Sequence, residues 1–449
     1  SPPGGERLSC LIGRYITKML INEALDYLDS HINRRLTLEK IDGLSLNQMK
    51  ILLETIGNPH EDFPTIHITG TNGKGSTAAM IAELLSALGL SVGLYSSPHV
   101  ASITERIHIN GGPISEEEFA ENVHALSLAE LHLEFSPSWF ELVTAVAFRS
   151  FADAAVDVAV IEVGMLGRYD ATNIGNPRVS VITNVDYDHT DGAEGWREKI
   201  AREKAGIIRK NGILCLGEVD DELDAIFTDE QPEIIYRRGQ DFSVLSNELA
   251  VGGRHLTLKT QSRKYEDIYL PLHGEHQGLN AALALSAAEA FLETPLPDDV
   301  VKNGFEQVSI IGRFEILGSN PLVVVDGANN PPGAEAARQT LNKSFPADGK
   351  LILIVGMTEE KNAEWMLDCL EADEAGLVIC TEATSPRAMA ANDLATAAKK
   401  VANKVEVKTD PKEALNLALS HAEPEDVVMG TGSLYIVGAL REAYLANQG

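Results

Sequence analysis

The sequence predicts an α/β fold in two units: a P-loop parallel-sheet domain with a small antiparallel appendage, then a Rossmann-like α/β domain. Three observations predict it. Between Pro64 and about Lys210, short β-rich runs alternate with longer stretches of helical period. Residues 231 to 273 switch to short alternating strands separated by Gly and Asn turns, and from about Arg313 a second series of strands and helices begins. At 449 residues the chain exceeds the size at which one core stops growing, so more than one domain is expected.

In chain order, TIHITG, SVGLYSS, VDVAVIEVG and VSVITNV are the expected strands of the first parallel sheet. EIIYRR, FSVLSNELAVGG, HLTLKT and DIYLPLHG are assigned to the antiparallel appendage, and HQGLNAALALSAAEAFLE to a helix that follows it. PLVVVDG, KLILIVG, AGLVICTEA and DVVMGTG then alternate with helical stretches such as AEAARQTLNKSF. The boundary is placed at about residue 312, dividing the chain into 1–312 and 313–449. No internal repeat or low-complexity tract interrupts this pattern.

Composition narrows the function. Hydrophobic residues make up 44% and charged residues 23%, ordinary for a globular chain, and no apolar run is long enough to span a bilayer. The start, SPPGGERLSC, lacks the basic region and apolar stretch of a secretory leader, and its missing Met reads as trimming, so a cytoplasmic location is expected. Cys10, Cys215, Cys369 and Cys380 form no CxxC pair, against a disulfide framework or a thiolate metal site. A net charge of −29 without a dense Lys/Arg cluster disfavours nucleic acid. Small-molecule substrates and a monomer are expected. Binding an anionic nucleotide to so acidic a chain then requires a local positive device.

That device is legible. After TIHIT comes Gly70-Thr71-Asn72-Gly73-Lys74-Gly75-Ser76-Thr77, followed by an amphipathic helix. Loop N–H groups, the helix dipole and the Lys74 ammonium together cradle β- and γ-phosphates. The bland alternative, an ordinary Gly-rich turn, leaves the ordered strand, lysine, hydroxyls and helix unexplained. Gly75 occupies the position after the lysine where Ser or Thr usually supplies a Mg²⁺ ligand, so the hydroxyl must come from elsewhere. Ser97 ends the next strand within Ser96-Ser97-Pro98-His99, Glu162 ends VDVAVIE, and His189 follows VSVITNVDYD. A hydroxyl, a carboxylate and an imidazole at strand ends suit a Mg²⁺ that bridges phosphates, although each alone is also an ordinary structural residue.

At these residues the chain resembles the folylpolyglutamate synthase/dihydrofolate synthase family, within the Mur ligases. The matching runs are TGTNGKGST, YSSPH with TERI, WFELVTA, EVGMLGRYDATN, DHT, REKAGI, LHGEHQGLNAALA, GRFE, DGANNP, SPRA and GTGSLYIVG, in family order over roughly residues 64 to 440. The resemblance implies an ATP-dependent amide ligase in which a substrate carboxylate is phosphorylated and the acyl phosphate is attacked by the amino group of L-glutamate. It makes 1–312 a Mur-type ATP-binding domain and 313–449 a glutamate-ligase domain.

Carried over residue by residue, it puts Thr71 to Thr77 around the nucleotide and makes Ser97, Glu162 and His189 ligands of Mg²⁺. Lys204, in REKAGI, matches a lysine that the family carbamylates to hold a second Mg²⁺; without the resemblance it reads as a solvated helix lysine. Asn280 is implied at adenine, and Arg313 and Asp326 at the ATP phosphates and ribose. Arg313, with Lys74, Lys204 and His189, is implied in catalysis. Ser138, Trp139, Phe140, Glu141, Arg168, Tyr169 and Asp170 resemble the pteroate-side pocket, while Ser385 and Arg387, with Ser433 and Tyr435, are implied at glutamate. Four positions depart from the family pattern: Leu166 for a glycine, Glu194 in an apolar slot, Ile311 for a proline and Asn329 for a histidine. They leave the ATP chemistry intact and bear on substrate identity. A Mur-type ligase for another carboxylate and amine, a catalytically silent nucleotide-binding regulator and a simple P-loop kinase are the rival readings.

Overall fold

Thr65–Thr69 (β1) is buried on both faces, which places it in the middle of a covered parallel sheet. In the computed structural model, which describes residues 18–32, 45–188, 190, 192–346, 349–383, 385 and 387–447, that is where it lies. His189, Cys10 and the SPPGGERLSC segment fall outside the described residues.

The first sheet continues with Val92–Tyr95 (β2), Ile107–Ile109 (β3), Gly112–Pro113 (β4), Val158–Glu162 (β5), Val179–Ile182 (β6), Ile213–Leu216 (β7) and Ile234–Arg237 (β8). Its order is β4-β3-β2-β5-β1-β6-β7-β8, parallel from β2 to β8, with an antiparallel edge made by β3 and β4. The chain leaves β1 toward β2, returns to β5 and then crosses to β6 on the other flank. That reversal opens a crevice at the carboxyl ends of β1, β5 and β6, where α/β sheets bind ligands.

Ser243–Ala250 (β9), Gly253–Lys259 (β10) and Lys264–Leu270 (β11) form a separate antiparallel sheet. One correction concerns EIIYRR, expected in this appendage: Ile234–Arg237 instead pairs parallel with β7 at the edge of the large sheet. A partly exposed edge strand carries the same short alternating pattern in either setting, so the residues did not distinguish them. The helix His276–Leu292 is Ala-rich and apolar all round, as its burial between the small sheet and the helix Lys74–Ala87 requires.

The opposite face of the large sheet is covered by the helices Glu116–Glu130 and Trp139–Asp153. Glu315–Ser319 (β12), Leu322–Val325 (β13), Leu351–Val355 (β14), Leu377–Cys380 (β15), Val405–Val407 (β16) and Val427–Thr431 (β17) build the second sheet, ordered β12-β13-β17-β14-β15-β16. Only β12 runs antiparallel, and helices cover both faces. Among the described residues no helix is long and apolar enough to cross a membrane.

Candidate active site

The phosphate loop is built by backbone demands. Gly73 takes φ +81°, a left-handed conformation that a side chain resists, and caps the helix Lys74–Ala87. A Cβ on Gly73 would stand 2.5 Å from Oδ1 of Asn280, so Asn280, at the start of the buried helix, lies directly against the loop. Asn280 is fixed there by donating to Gln277 at 3.0 Å. Lys74 donates to the carbonyls of Gly70 and Thr71 at 3.1 and 3.2 Å, which sets its ammonium across the loop. Ser76 and Thr77 are buried on the first helical turn.

The segment after β6 clamps the loop from the side. Asn184 Oδ1 accepts from the N–H groups of Thr71 (3.2 Å) and Asn72 (3.0 Å), and Thr183 Oγ1 donates to the Asn72 carbonyl at 2.6 Å. These residues carried no signal in sequence beyond following a strand.

Glu162, at the end of β5, is fully buried and accepts the Ser97 N–H at 3.0 Å. Burial raises its pKa, while Lys74, the Ser97 N–H, Arg313 and Arg106 pull it back toward the ionised form. Gly75 faces this carboxylate; a Cβ there would sit 3.4 Å from it. A serine hydroxyl and a carboxylate, both hard oxygen donors beside a phosphate loop, fit a Mg²⁺ that keeps several waters. Among the described residues no group of three His, Cys, Asp or Glu side chains is gathered to hold a metal.

Lys204 lies in the last turn of the helix Trp196–Ala205 and is 3% exposed, not the solvated lysine that its helix would suggest. Burial and then repulsion from Lys74 hold its pKa well below the ordinary lysine value, with Asp188 opposing. Burial favours the free amine over the ammonium, and the free amine is the form of a lysine that can react with CO₂. Two glycines bring its helix close: a Cβ on Gly167 would meet the Glu203 carbonyl at 2.7 Å, and one on Gly206 would meet Arg168 Cα at 2.6 Å.

From the second sheet, Arg313 comes within electrostatic reach of Glu162 and His276. Asp326 accepts from the N–H groups of Phe314 (2.8 Å) and Ala328 (2.9 Å) and so fixes the turn that carries Arg313. The following helix is capped by Asn330, which also donates to Asn72 Oδ1 across the interface at 3.0 Å.

The expected pteroate-side residues divide. Phe140 covers Gly164, where a Cβ would stand 2.3 Å from the ring, and Trp139 carries the Arg106 guanidinium 4.8 Å from its ring centroid. Ser138 and Glu141 are occupied with each other as the capping box of the helix Trp139–Asp153. Buried Asp170 is saturated by the Met165 N–H and by Thr172, so it braces the loop after β5. Arg168 pairs with Glu230 at 2.5 Å, and Tyr169 is exposed. Ser385 accepts the Arg387 N–H, while the Arg387 side chain reaches Glu360 at 3.7 Å. Sequence reasoning missed Arg106 itself. It is buried, donates to His99 Nδ1 at 2.9 Å and has no carboxylate within ion-pair distance among the described residues. Its place in the TERI run was the signal.

Of the departures, Leu166 adopts φ +59°, the left-handed conformation that a glycine takes without strain, with its carbonyl held by Thr69. Asn329, Glu194 and Ile311 are exposed.

A parallel sheet with a phosphate loop at its switch point, facing a second α/β unit, defines a Mur-type ligase. The description "Mur ligase middle domain" matches residues 68–288, and "Mur ligase, glutamate ligase domain" matches residues 312–434. A dihydrofolate synthase/folylpolyglutamate synthase of Mycobacterium tuberculosis is 36% identical over 440 residues, covering 89% of this chain and 90% of that one. The M. tuberculosis folylpolyglutamate synthase complexed with ADP superposes with a TM-score of 0.88 at 36% identity, covering 94% of this chain and 98% of that one. A bifunctional folylpolyglutamate synthase/dihydrofolate synthase with Mn, AMPPNP and L-glutamate bound gives a TM-score of 0.82 at 29% identity, covering 96% and 98%. The chain belongs to the dihydrofolate synthase/folylpolyglutamate synthase family.

Proposed function

We propose that the protein is an ATP-dependent ligase that joins L-glutamate to dihydropteroate, to folyl(poly)glutamate, or to both, through an acyl phosphate. The observation that carries this reading is the meeting of Lys74, Glu162, buried Lys204 and Arg313 around one phosphate loop, with Arg313 contributed from beside the second sheet. Residues 1–312 form the ATP-binding unit and 313–449 the unit that binds glutamate. ATP, a divalent cation and small-molecule substrates follow from family membership. Nucleotide and glutamate are bound in the relatives named above.

The chemistry follows from what the residues supply. The loop N–H groups, Lys74 and Arg313 hold the β- and γ-phosphates and offset the charge that builds as the γ-phosphoryl moves. A carboxylate oxygen of the substrate takes the phosphoryl group and ADP leaves. The glutamate amine then attacks the acyl carbon, loses a proton, and the tetrahedral intermediate expels phosphate. Ser97, Glu162, His189 and a carbamate on Lys204 would hold two Mg²⁺, which supply charge neutralisation and alignment of the phosphates. Asn280 would contact adenine, and Arg313 and Asp326 would meet the ATP phosphates and ribose. Trp139 and Phe140 provide flat apolar surface for a bicyclic ring, and Arg106 is the cation for the substrate's carboxylate side. Ser385 and Arg387, in the second unit, help to bind glutamate.

Phosphate release measured with ATP, Mg²⁺, L-glutamate and dihydropteroate or a tetrahydrofolate tests the reading. Release is expected only when all are present. Release that needs an amine other than glutamate overturns the folate assignment, and release without any amine overturns ligation.

A further inference from the structure

The segment Thr183–Asp188 has two sides. One side holds the phosphate loop, through Thr183, Asn184 and the Asp186 N–H, which donates to Thr71 Oγ1 at 3.0 Å. The other side meets the second unit. Lys361 donates to Asp188 Oδ1 at 2.8 Å, with the two side chains only 10% and 12% exposed. Asn330 reaches Asp188 Oδ2 at 3.4 Å as well as Asn72. The Tyr187 ring stands between two tryptophans, 5.5 Å from Trp196 of its own unit and 4.5 Å from Trp365 of the other, edge-on to both.

Lys361 sits in the turn after β14, its N–H bonded to the Thr358 carbonyl, and Trp365 lies in the first turn of the helix Ala363–Cys369, where its N–H donates to the capping Asn362. Both are therefore presented by rigid elements of the second sheet. A nearly dry ion pair, a ring contact and an amide bridge converge on two consecutive residues, and those two residues continue into the segment that shapes the phosphate loop. A contiguous set of contacts with definite geometry is the physical means by which one unit's position reaches the other's site.

We propose that Lys361 and Trp365 form a clasp on Tyr187–Asp188, through which the second unit holds the Thr183–Asp188 segment, and with it the phosphate loop, in the nucleotide-binding form. Lys361 is a positioning residue: its ammonium acts through Asp188. The clasp also couples docking of the glutamate unit to nucleotide affinity, since any motion that separates the units withdraws both contacts together. The inference rests on the nucleotide reading of the loop.

The test is ADP binding by calorimetry to the full chain, wild type against Lys361→Met and Trp365→Leu, with acrylamide quenching of tryptophan emission as the second readout. Lys361→Met removes the ion pair that joins the second unit to Asp188, and its Kd for ADP is expected to rise about tenfold. Trp365→Leu keeps the charge and is expected to weaken ADP by about threefold, while Lys361→Arg restores most of the affinity. Quenching rises in Lys361→Met as Trp365 leaves Tyr187. A residue that only maintained its own domain would lower the active fraction without moving Kd. Unchanged Kd in both variants and unchanged quenching in Lys361→Met, with wild-type protein binding ADP, overturn the clasp alone. Wild-type protein that binds no ADP overturns the nucleotide reading and the clasp with it.

Discussion

Replacing Gly167 by alanine touches no proposed ligand, yet it should cripple the enzyme. Gly167 lies where the loop after β5 passes the helix that carries Lys204. An added Cβ would meet the Glu203 carbonyl at 2.7 Å, Ile207 Cγ2 at 3.1 Å and Lys204 Cα at 3.2 Å. Ordinary contact begins at 3.4 Å, so the helix has to retreat by about 0.7 Å. The retreat strains the Arg168 N–H to Glu203 carbonyl hydrogen bond, now 2.8 Å, for about 1 kcal/mol. Overpacking adds about 1–3 kcal/mol, for a total near 2–4 kcal/mol of stability. Because displacement of a reacting group by about 1 Å costs on the order of 100-fold in rate, kcat should fall about 10- to 100-fold. Phosphate-release kinetics beside urea denaturation measure both effects. Gly175→Ala, with nothing within 4 Å of its Cβ, is the matched control and should be silent. Gly167→Ala protein with wild-type kcat and stability would refute the argument that this close approach places Lys204.

Four further outcomes follow. Lys204→Ala should abolish turnover and recover part of it with short-chain carboxylates; full activity without additive would sink the carbamate. Arg106→Gln should raise KM for the pteroate or folate substrate by about 10- to 100-fold, the worth of a charged hydrogen bond, and leave ADP affinity within about twofold. An unchanged KM removes Arg106 from the substrate site. Leu166→Gly should be more stable than Leu166→Ala by about 1 kcal/mol although it is smaller, because only glycine accepts φ +59° freely; the reverse order in urea unfolding would contradict that.

The last concerns pH. His67, depressed to about 3 by burial and then by Arg209, and His99, depressed to about 4 by burial and then by Arg106, stay neutral in the native state. Unfolding restores both toward 6.5, so the unfolded chain binds more protons between about 4 and 6.5, and stability must rise with pH across that window. His67→Gln, which retains a partner for Thr172, should flatten the slope; an unaltered slope would show that His67 does not contribute.

The sequence made the phosphate loop legible because one strand, one loop and one helix carry it contiguously. Glu162 and Ser97 were legible as strand-end residues, and in the structure they are neighbours, the Ser97 N–H donating to Glu162 at 3.0 Å. The burial of Lys204 was not legible, because it depends on Gly167 and Gly206 admitting another backbone, and glycines look alike in sequence. The placement of Ile234–Arg237 was lost because an edge strand has the same pattern in either sheet. The short strands β3, β4 and β16 escaped notice because two or three residues carry too little periodicity. Lys361 and Asp188 were ordinary charges until two units of the chain met.

The central claim, amide ligation through an acyl phosphate, has one direct measurement. Dihydropteroate or folate labelled with oxygen-18 in the reacting carboxylate is turned over with ATP, Mg²⁺ and L-glutamate, and the phosphate released is analysed by mass spectrometry. One labelled oxygen transferred to each phosphate, with a product extended by glutamate, is the expected result. Unlabelled phosphate, released with the carboxylate oxygens intact, would contradict it.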